Sequence, residues 1–221
     1  MFSLFFPIEI AIALTGVVHF FNNIYKLILV GKNANKSVLI FFGIPAVIAS
    51  FLGAYLLINI TELTPLYEYY IGKRLFTITP VKLIISILLI LFAIIELLPF
   101  LKKLNFKQKH LPIGGFLSGF FGGLSGHQGA LRSAFLINAG LTKEVFIGSA
   151  VVISAFVDFT RLTIYATRFL NSGLSDNIPL SLCATISAIL GSYYGNKLLK
   201  KVTLEFIQKL VAVLLIAISL G

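Results

Sequence analysis

The 221-residue chain is 58% hydrophobic with 21 Phe, and its 12% of charged residues is about half the share of a soluble domain. With a mean hydropathy of +0.99 and a net charge of +10, it is expected to be an integral protein of the cell (inner or plasma) membrane, its Lys and Arg setting topology and touching anionic lipid. The composition excludes nucleic-acid binding, because the basic residues punctuate apolar spans instead of forming a stripe; the single Cys183 excludes an internal disulfide or a multi-cysteine metal site.

In chain order, MFSLFFPIEIAIALTG lacks a basic region and carries Glu9 ahead of its apolar run, so no cleaved signal peptide is expected. Apolar runs follow at 7–30, 37–60, 79–99, 112–140, 143–169, 178–199 and 203–220. Each is long enough to reach across a bilayer, which predicts an all-α, polytopic bundle of about seven hydrophobic segments. The longest polar connections are 61–78 and 100–111, and the second divides the chain into a first membrane repeat, 1–105, and a second, 106–221.

The first run carries His19, Asn22 and Asn23 at i, i+3 and i+4, one side of a helix. The fourth run holds seven glycines between Gly114 and Gly129 and one polar cluster, Ser125, His127, Gln128, Arg132 and Ser133. A continuous helix over 111–140 would be about 45 Å long against a hydrocarbon core of roughly 30 Å, and each interior glycine costs it about 1 kcal/mol. Two half-helices broken near Gly126–Gly129 are therefore expected. Exposed backbone at such a break is tolerated only where protein buries it or water lines it.

Loop charges bear on the same point. If all seven runs cross, seven basic residues (Lys32, Lys36, Lys102, Lys103, Lys107, Lys109, Arg168) face six (Lys73, Arg74, Lys143, Lys197, Lys200, Lys201). If 112–140 dips in and returns, Lys143, Lys197, Lys200 and Lys201 join the first side and Arg168 leaves it, giving ten against three. The positive-inside rule favours this re-entrant arrangement.

Two weak repeats appear. ASFLGAYLL at 49–57 echoes LGSYYGNKLL at 190–199, and TGVVHFFNN at 15–23 resembles GGLSGHQGA at 122–130, placing His19 opposite His127. A duplicated bundle with its site at the repeat interface is a transporter plan. It suggests a second broken segment at 14–26, matching the one at 114–133.

A charged residue at mid-bilayer costs about 2.5–3.5 kcal/mol on insertion scales. Arg132 therefore needs an internal partner such as Asp158, a route to the headgroups, or a ligand. As an anion clamp its guanidinium would act with N–H donors from His127 and Gln128 and with half-helix amides. His19 would join them, with Asn22, Asn23 and Ser125 as neutral donors. Gly122, Gly123, Gly126 and Gly129 would let backbone approach the ligand. Asp158, Arg161 and Tyr165 share one helical face in 143–169, as an i, i+3 ion pair bracing the helix or as a coupling set taking up a proton. Gly123-Leu124-Ser125-Gly126 also fits the G-x-S-G pattern of rhomboid-type intramembrane serine proteases, but no histidine follows His127 to act as base. No cofactor or metal motif is present.

With Gly115, Gly119, Gly123, Gly126 and Gly129, then LTKEVFIGSAVVIS, then GSYYGNKLLKKVTLEFIQKLVAVLLIAISLG, the chain resembles the sulfite exporter TauE/SafE family of membrane permeases, over nearly all of 110–221 and faintly over 8–98. The family's run of Gly, an aliphatic and three glycines is altered here by His127, Gln128 and Ala130, and Arg132 stands about where a proline is expected. The resemblance implies a permease for small, often sulfur-containing anions such as sulfite or sulfonates. Transport would be passive or proton-coupled alternating access. The competing expectations are an intramembrane hydrolase using Ser125 and a non-transporting membrane partner protein.

Overall fold

The computed structural model describes Phe2, Phe6 and residues 8–97, 108–137, 139–169, 177–198, 213–214 and 216–217. Of the seventh expected run only 213–214 and 216–217 fall within these, both helical, and the linker residues 98–107 lie outside them. The elements are α1 (Ile8–Val30), α2 (Lys36–Thr61), β1 (Tyr67–Ile71), β2 (Arg74–Ile78), α3 (Pro80–Leu97), α4 (Leu111–Ser125), α5 (Gly129–Ile137), α6 (Lys143–Phe169) and α7 (Ile178–Leu198). The stretches Ile10–Asn33, Lys36–Thr61, Lys143–Thr167 and Ile178–Gly195 are long and apolar enough to cross a membrane; Pro80–Ile94 is a shorter apolar helix. Large apolar side chains such as Ile44, Ile48, Ile87, Phe156 and Ile186 are exposed, as hydrocarbon-facing surface should be. The chain is an all-α membrane bundle.

The fourth run breaks where its glycines predict. α4 ends at Gly126, which takes the left-handed conformation (φ 79°), and its N–H donates to the Gly122 carbonyl at 2.9 Å. α5 then folds back along α4. Ser118 Oγ donates to the Gln128 carbonyl at 3.1 Å, and a Cβ on Gly114 would run into the Phe135 ring. At 15 residues, α4 is about 22 Å long and falls short of a full crossing. The segment is re-entrant, its end returning to the level of its start.

Neighbouring contacts fix the direction of the other helices. Cβ atoms on Gly115, Gly119 and Gly123 would collide with the backbones of Phe42, Ala46 and Ser50, and one on Gly53 with the Phe120 carbonyl. α4 and α2 therefore run parallel in direct backbone contact, a small-residue seam of the kind that drives helix association in lipid. The backbone N–H of Asn35 donates to Ser149 Oγ at 3.0 Å, so α6 starts at the face where α2 starts. Lys32, Lys36, Lys109 and Lys143 all belong to that lysine-rich face. Within α2, Leu39–Gly43 forms a π turn just before Pro45. The wide turn accommodates a residue that cannot donate its own helical hydrogen bond.

Two expectations need correction. The first run is not broken at 14–26: α1 is one continuous helix from Ile8 to Val30. Its single glycine, Gly16, lies within the helix, where one glycine costs too little to interrupt it. The connection 61–78 is also more than a polar loop. Its alternating residues pair as a hairpin from Tyr67↔Ile78 to Ile71↔Arg74, with Gly72 at φ 62° in the two-residue turn.

Two apolar clusters lie at different heights. Val38, Phe42, Leu111, Phe135, Ile153 and Val157 pack toward the lysine-rich face; Ala13, Leu57, Ile85, Phe92, Leu124 and Tyr165 pack away from it. Between them three helices contribute buried polar groups: Ser50 from α2, Ser118 from α4, Asp158 and Arg161 from α6. Substituting Gly119 by Leu, which would drive a side chain into the Ala46 carbonyl, should destabilise the protein by about 3 kcal/mol or more. Gly129→Ala, with open space beside Gly129, should change stability by less than about 1 kcal/mol. Unfolding midpoints in detergent compare the two, and a wild-type midpoint for Gly119→Leu would refute the α2–α4 seam.

Candidate functional site

A helix that ends inside a membrane leaves carbonyls that need donors. At the end of α4 they are supplied locally. Ser125 Oγ donates to the Phe121 carbonyl at 2.8 Å, Gly126 N–H serves Gly122, and the buried Tyr165 hydroxyl donates to the Gly123 carbonyl. His127 Nδ1 lies 2.9 Å from the Ser125 carbonyl. A carbonyl only accepts, so Nδ1 carries the proton and Nε2 is left as the ring's outward nitrogen. Ser125 Oγ also accepts from the His127 backbone N–H at 3.3 Å. His127 thus meets Ser125 through the carbonyl and the main chain, and the ring does not activate the hydroxyl as a hydrolase requires.

The charged centre comes from α6. Arg161 Nε donates to Asp158 Oδ1 at 2.9 Å, and Nη2 lies 2.8 Å from the same oxygen. Both side chains are 1% exposed. Asn23 Nδ2 donates to Asp158 Oδ2 at 2.7 Å, so both carboxylate oxygens are engaged. Arg161 Nη1 has no hydrogen-bond partner. It faces Gly126, where an added Cβ would lie 2.7 Å from it, and the guanidinium also borders Gly16 of α1. The cation therefore sits in the gap between α1 and the break, with Nη1 turned toward Gly126 and the Tyr165 hydroxyl beside the guanidinium.

His19 and His127 flank this point. Both have exposed surface although protein surrounds them, as in the walls of a cleft, and they lie close enough to interact electrostatically with each other and with Arg161. The first amides of α5 point into the same break, by the geometry of any helix start. Gln128 is buried there, and its Oε1 has no hydrogen-bond partner.

Other predicted residues are placed differently. Arg132 donates through Nη1 to Ser154 Oγ and keeps a buried, unpartnered Nε. It sits one turn of α6 nearer the lysine-rich face than Asp158, and its ion pair with Asp158 does not form, because Arg161 and Asn23 occupy that carboxylate. Asn22 turns away from Asn23 and accepts from Ser192 Oγ of α7 at 2.8 Å. Gly123 packs on Ser50 and Gly122 on Gln128, whereas Gly126 and Gly129 remain at the break. Lys26 was overlooked in the sequence: it lies seven residues after His19, on the same side of α1, and within electrostatic reach of Arg132 and Asp158. A lone lysine inside an apolar run was the signal for it. Among the described residues, no three His, Cys, Asp or Glu side chains gather as a metal site.

The family model described as Sulfite exporter TauE/SafE matches residues 1–221, the whole chain. The chain belongs to the sulfite exporter TauE/SafE family. Membership makes it an integral membrane protein of a transporter family whose cargo is a small sulfur-containing anion. No curated protein and no solved structure matches it. In this family member, removing the carboxylate with Asp158→Ala should destabilise the fold by about 3–5 kcal/mol, because Arg161 would remain buried and unpaired. Adding Arg161→Leu to that variant should recover part of the loss. Detergent unfolding of the two single variants and the double variant measures the coupling, and additive effects would contradict a shared ion pair.

Proposed function

We propose that the protein is a permease for small oxyanions, sulfite or sulfonates among them, which bind at the break between α4 and α5. The observation that carries this reading is Arg161: a buried guanidinium with an unpartnered Nη1 directed at a left-handed glycine where a helix ends inside the bundle. A bound oxyanion would accept from Nη1, from the first amides of α5 and from the amide of Gln128. His19 and His127 would line the cleft beside it. Neutral His127 presents an acceptor at Nε2 and the imidazolium a donor, so proton uptake would favour the anion. That is a simple basis for proton coupling, although passive exchange needs only the donors.

Access would alternate between the membrane faces by parting one apolar cluster at a time. Purified protein in proteoliposomes should carry radiolabelled sulfite faster than protein-free vesicles do. Arg161→Gln should cut flux at low substrate by about tenfold or more, the scale of a hydrogen bond to a charged group. Ser125→Ala should retain most of the flux. Wild-type flux equal to that of empty vesicles for sulfite and every sulfonate tried would end the permease reading, and loss of activity in Ser125→Ala alone would favour a hydrolase.

A further inference from the structure

We infer that Lys26 of α1 and Arg132 of α5 form a second, outer anion station between the break and the lysine-rich face. The proposal rests on the permease reading above and adds a site to it.

The register of α1 against α6 places these residues. Gly16 lies beside Arg161 and Leu162, Asn23 bonds Asp158, and Gly31 lies beside Val152. The helices are antiparallel, so Lys26, three residues beyond Asn23, falls near the level of Ser154. Arg132 is held at that level by its bond to Ser154 Oγ, and Ser154 is itself fixed to the Ala150 carbonyl at 2.8 Å. Lys26 and Arg132 thus lie at one level of the α1–α6 packing, within electrostatic reach of each other.

Asp158 offsets their repulsion only in part, since it reaches Lys26 and Arg132 through space and bonds neither. Asp158 is paired with Arg161, and both of its oxygens are already engaged. Lys26, Arg132 and Arg161 against Asp158 leave an excess of two positive charges in this interior. Such an excess in a low-dielectric region calls for a counter-ion. Arg132 Nε, buried without a hydrogen-bond partner, is a donor waiting for one. The ligand class is a small oxyanion, which accepts from the guanidinium and the ammonium together. Beyond the station lie Lys32, Lys36 and Lys143, all exposed. An anion leaving that face would meet Lys26 and Arg132 before it reached Arg161, and the two stations share the electrostatic work of drawing it inward.

The test uses full-length protein in proteoliposomes and radiolabelled sulfite. Lys26→Gln should raise the half-saturating sulfite concentration by about tenfold and leave the maximal rate within roughly threefold, whereas Lys26→Arg should stay near wild type. In a Cys183→Ser background, Lys26→Cys should respond to the sign of an added charge. A cationic aminoethyl methanethiosulfonate should restore low-substrate flux, and an anionic sulfonatoethyl reagent should suppress it further. Equal effects of the two reagents, or an unchanged half-saturating concentration in Lys26→Gln, would overturn the outer station. If Lys26→Gln does not fold, the cysteine labelled in folded protein decides alone. Wild type without sulfite flux and without a sulfite-induced thermal shift would instead sink the permease reading itself.

Discussion

Backbone polar groups cannot be left bare in hydrocarbon, and the arrangement of this protein follows from how it meets that requirement at one interrupted helix. The last turn of α4 exposes carbonyls to the interior, and donors from three sources close them: the chain's own Gly126 N–H, the His127 ring and the Tyr165 hydroxyl of α6. Closure needs α6 close by, and it needs α4 held still. The glycine seam against α2 holds it, because backbone contact without side chains leaves no freedom to slide. The apolar clusters above and below keep water from competing for those bonds.

Closing the carbonyl end does nothing for the opposite end of the break. The first amides of α5 and the Arg161 guanidinium are all donors, and the Ser125 hydroxyl of α4 accepts from the His127 N–H ahead of them. Asp158, the one buried carboxylate among the described residues, is engaged by Arg161 and Asn23. Unsatisfied donors therefore remain in this layer, the Arg161 Nη1 among them, beside the unpartnered acceptor Gln128 Oε1. A protein that merely needed stability would do better with apolar side chains here, since a buried ion pair seldom improves on well-packed hydrophobic residues. Keeping such donors makes physical sense if the missing acceptor is the cargo.

Much of this was legible in the chain. Glycine spacing against bilayer thickness located the break, and the distribution of lysines gave the return of α5 to the face it left. The i, i+3 spacing of Asp158 and Arg161 gave their ion pair. What escaped was whatever depends on which helix meets which. The glycines at 115, 119 and 123 look the same in sequence whether they approach a ligand or a neighbouring backbone, and only the position of α2 decides. Arg132 and Arg161 are likewise interchangeable on composition. The antiparallel register of α1 against α6 sets Arg161 at the break and Arg132 beside Ser154. The echo between 15–23 and 122–130 does not extend to the backbone: α1 has one glycine where the later segment has several, so it stays helical, and His19 and His127 share only electrostatic reach. Lys26 was hidden by its neighbours, because a single charge in a long apolar run reads as interfacial until a second cation is found within its electrostatic reach.

The polar layer lies between two dry clusters, and this limits how an anion could leave. Toward the lysine-rich face the barrier is Phe42, Leu111, Phe135, Ile153 and Val157; toward the other it is Leu57, Ile85, Phe92, Leu124 and Tyr165. Tyr165 belongs to the second barrier and also donates to the Gly123 carbonyl, so opening that side would uncap α4 unless another donor took its place. At the first barrier Phe135 lies on the short returning helix α5 and packs on Gly114, and α5 is tied there by Arg132 to Ser154 and by the Gln128 carbonyl to Ser118. Parting the cluster near the lysines by moving α5 would strain those bonds as well as apolar contact, whereas parting the opposite one would cost the hydrogen bond that caps a backbone carbonyl. The two faces thus differ in what holds them closed: bonds from α5 on the lysine-rich side, and the Tyr165 cap of α4 on the other.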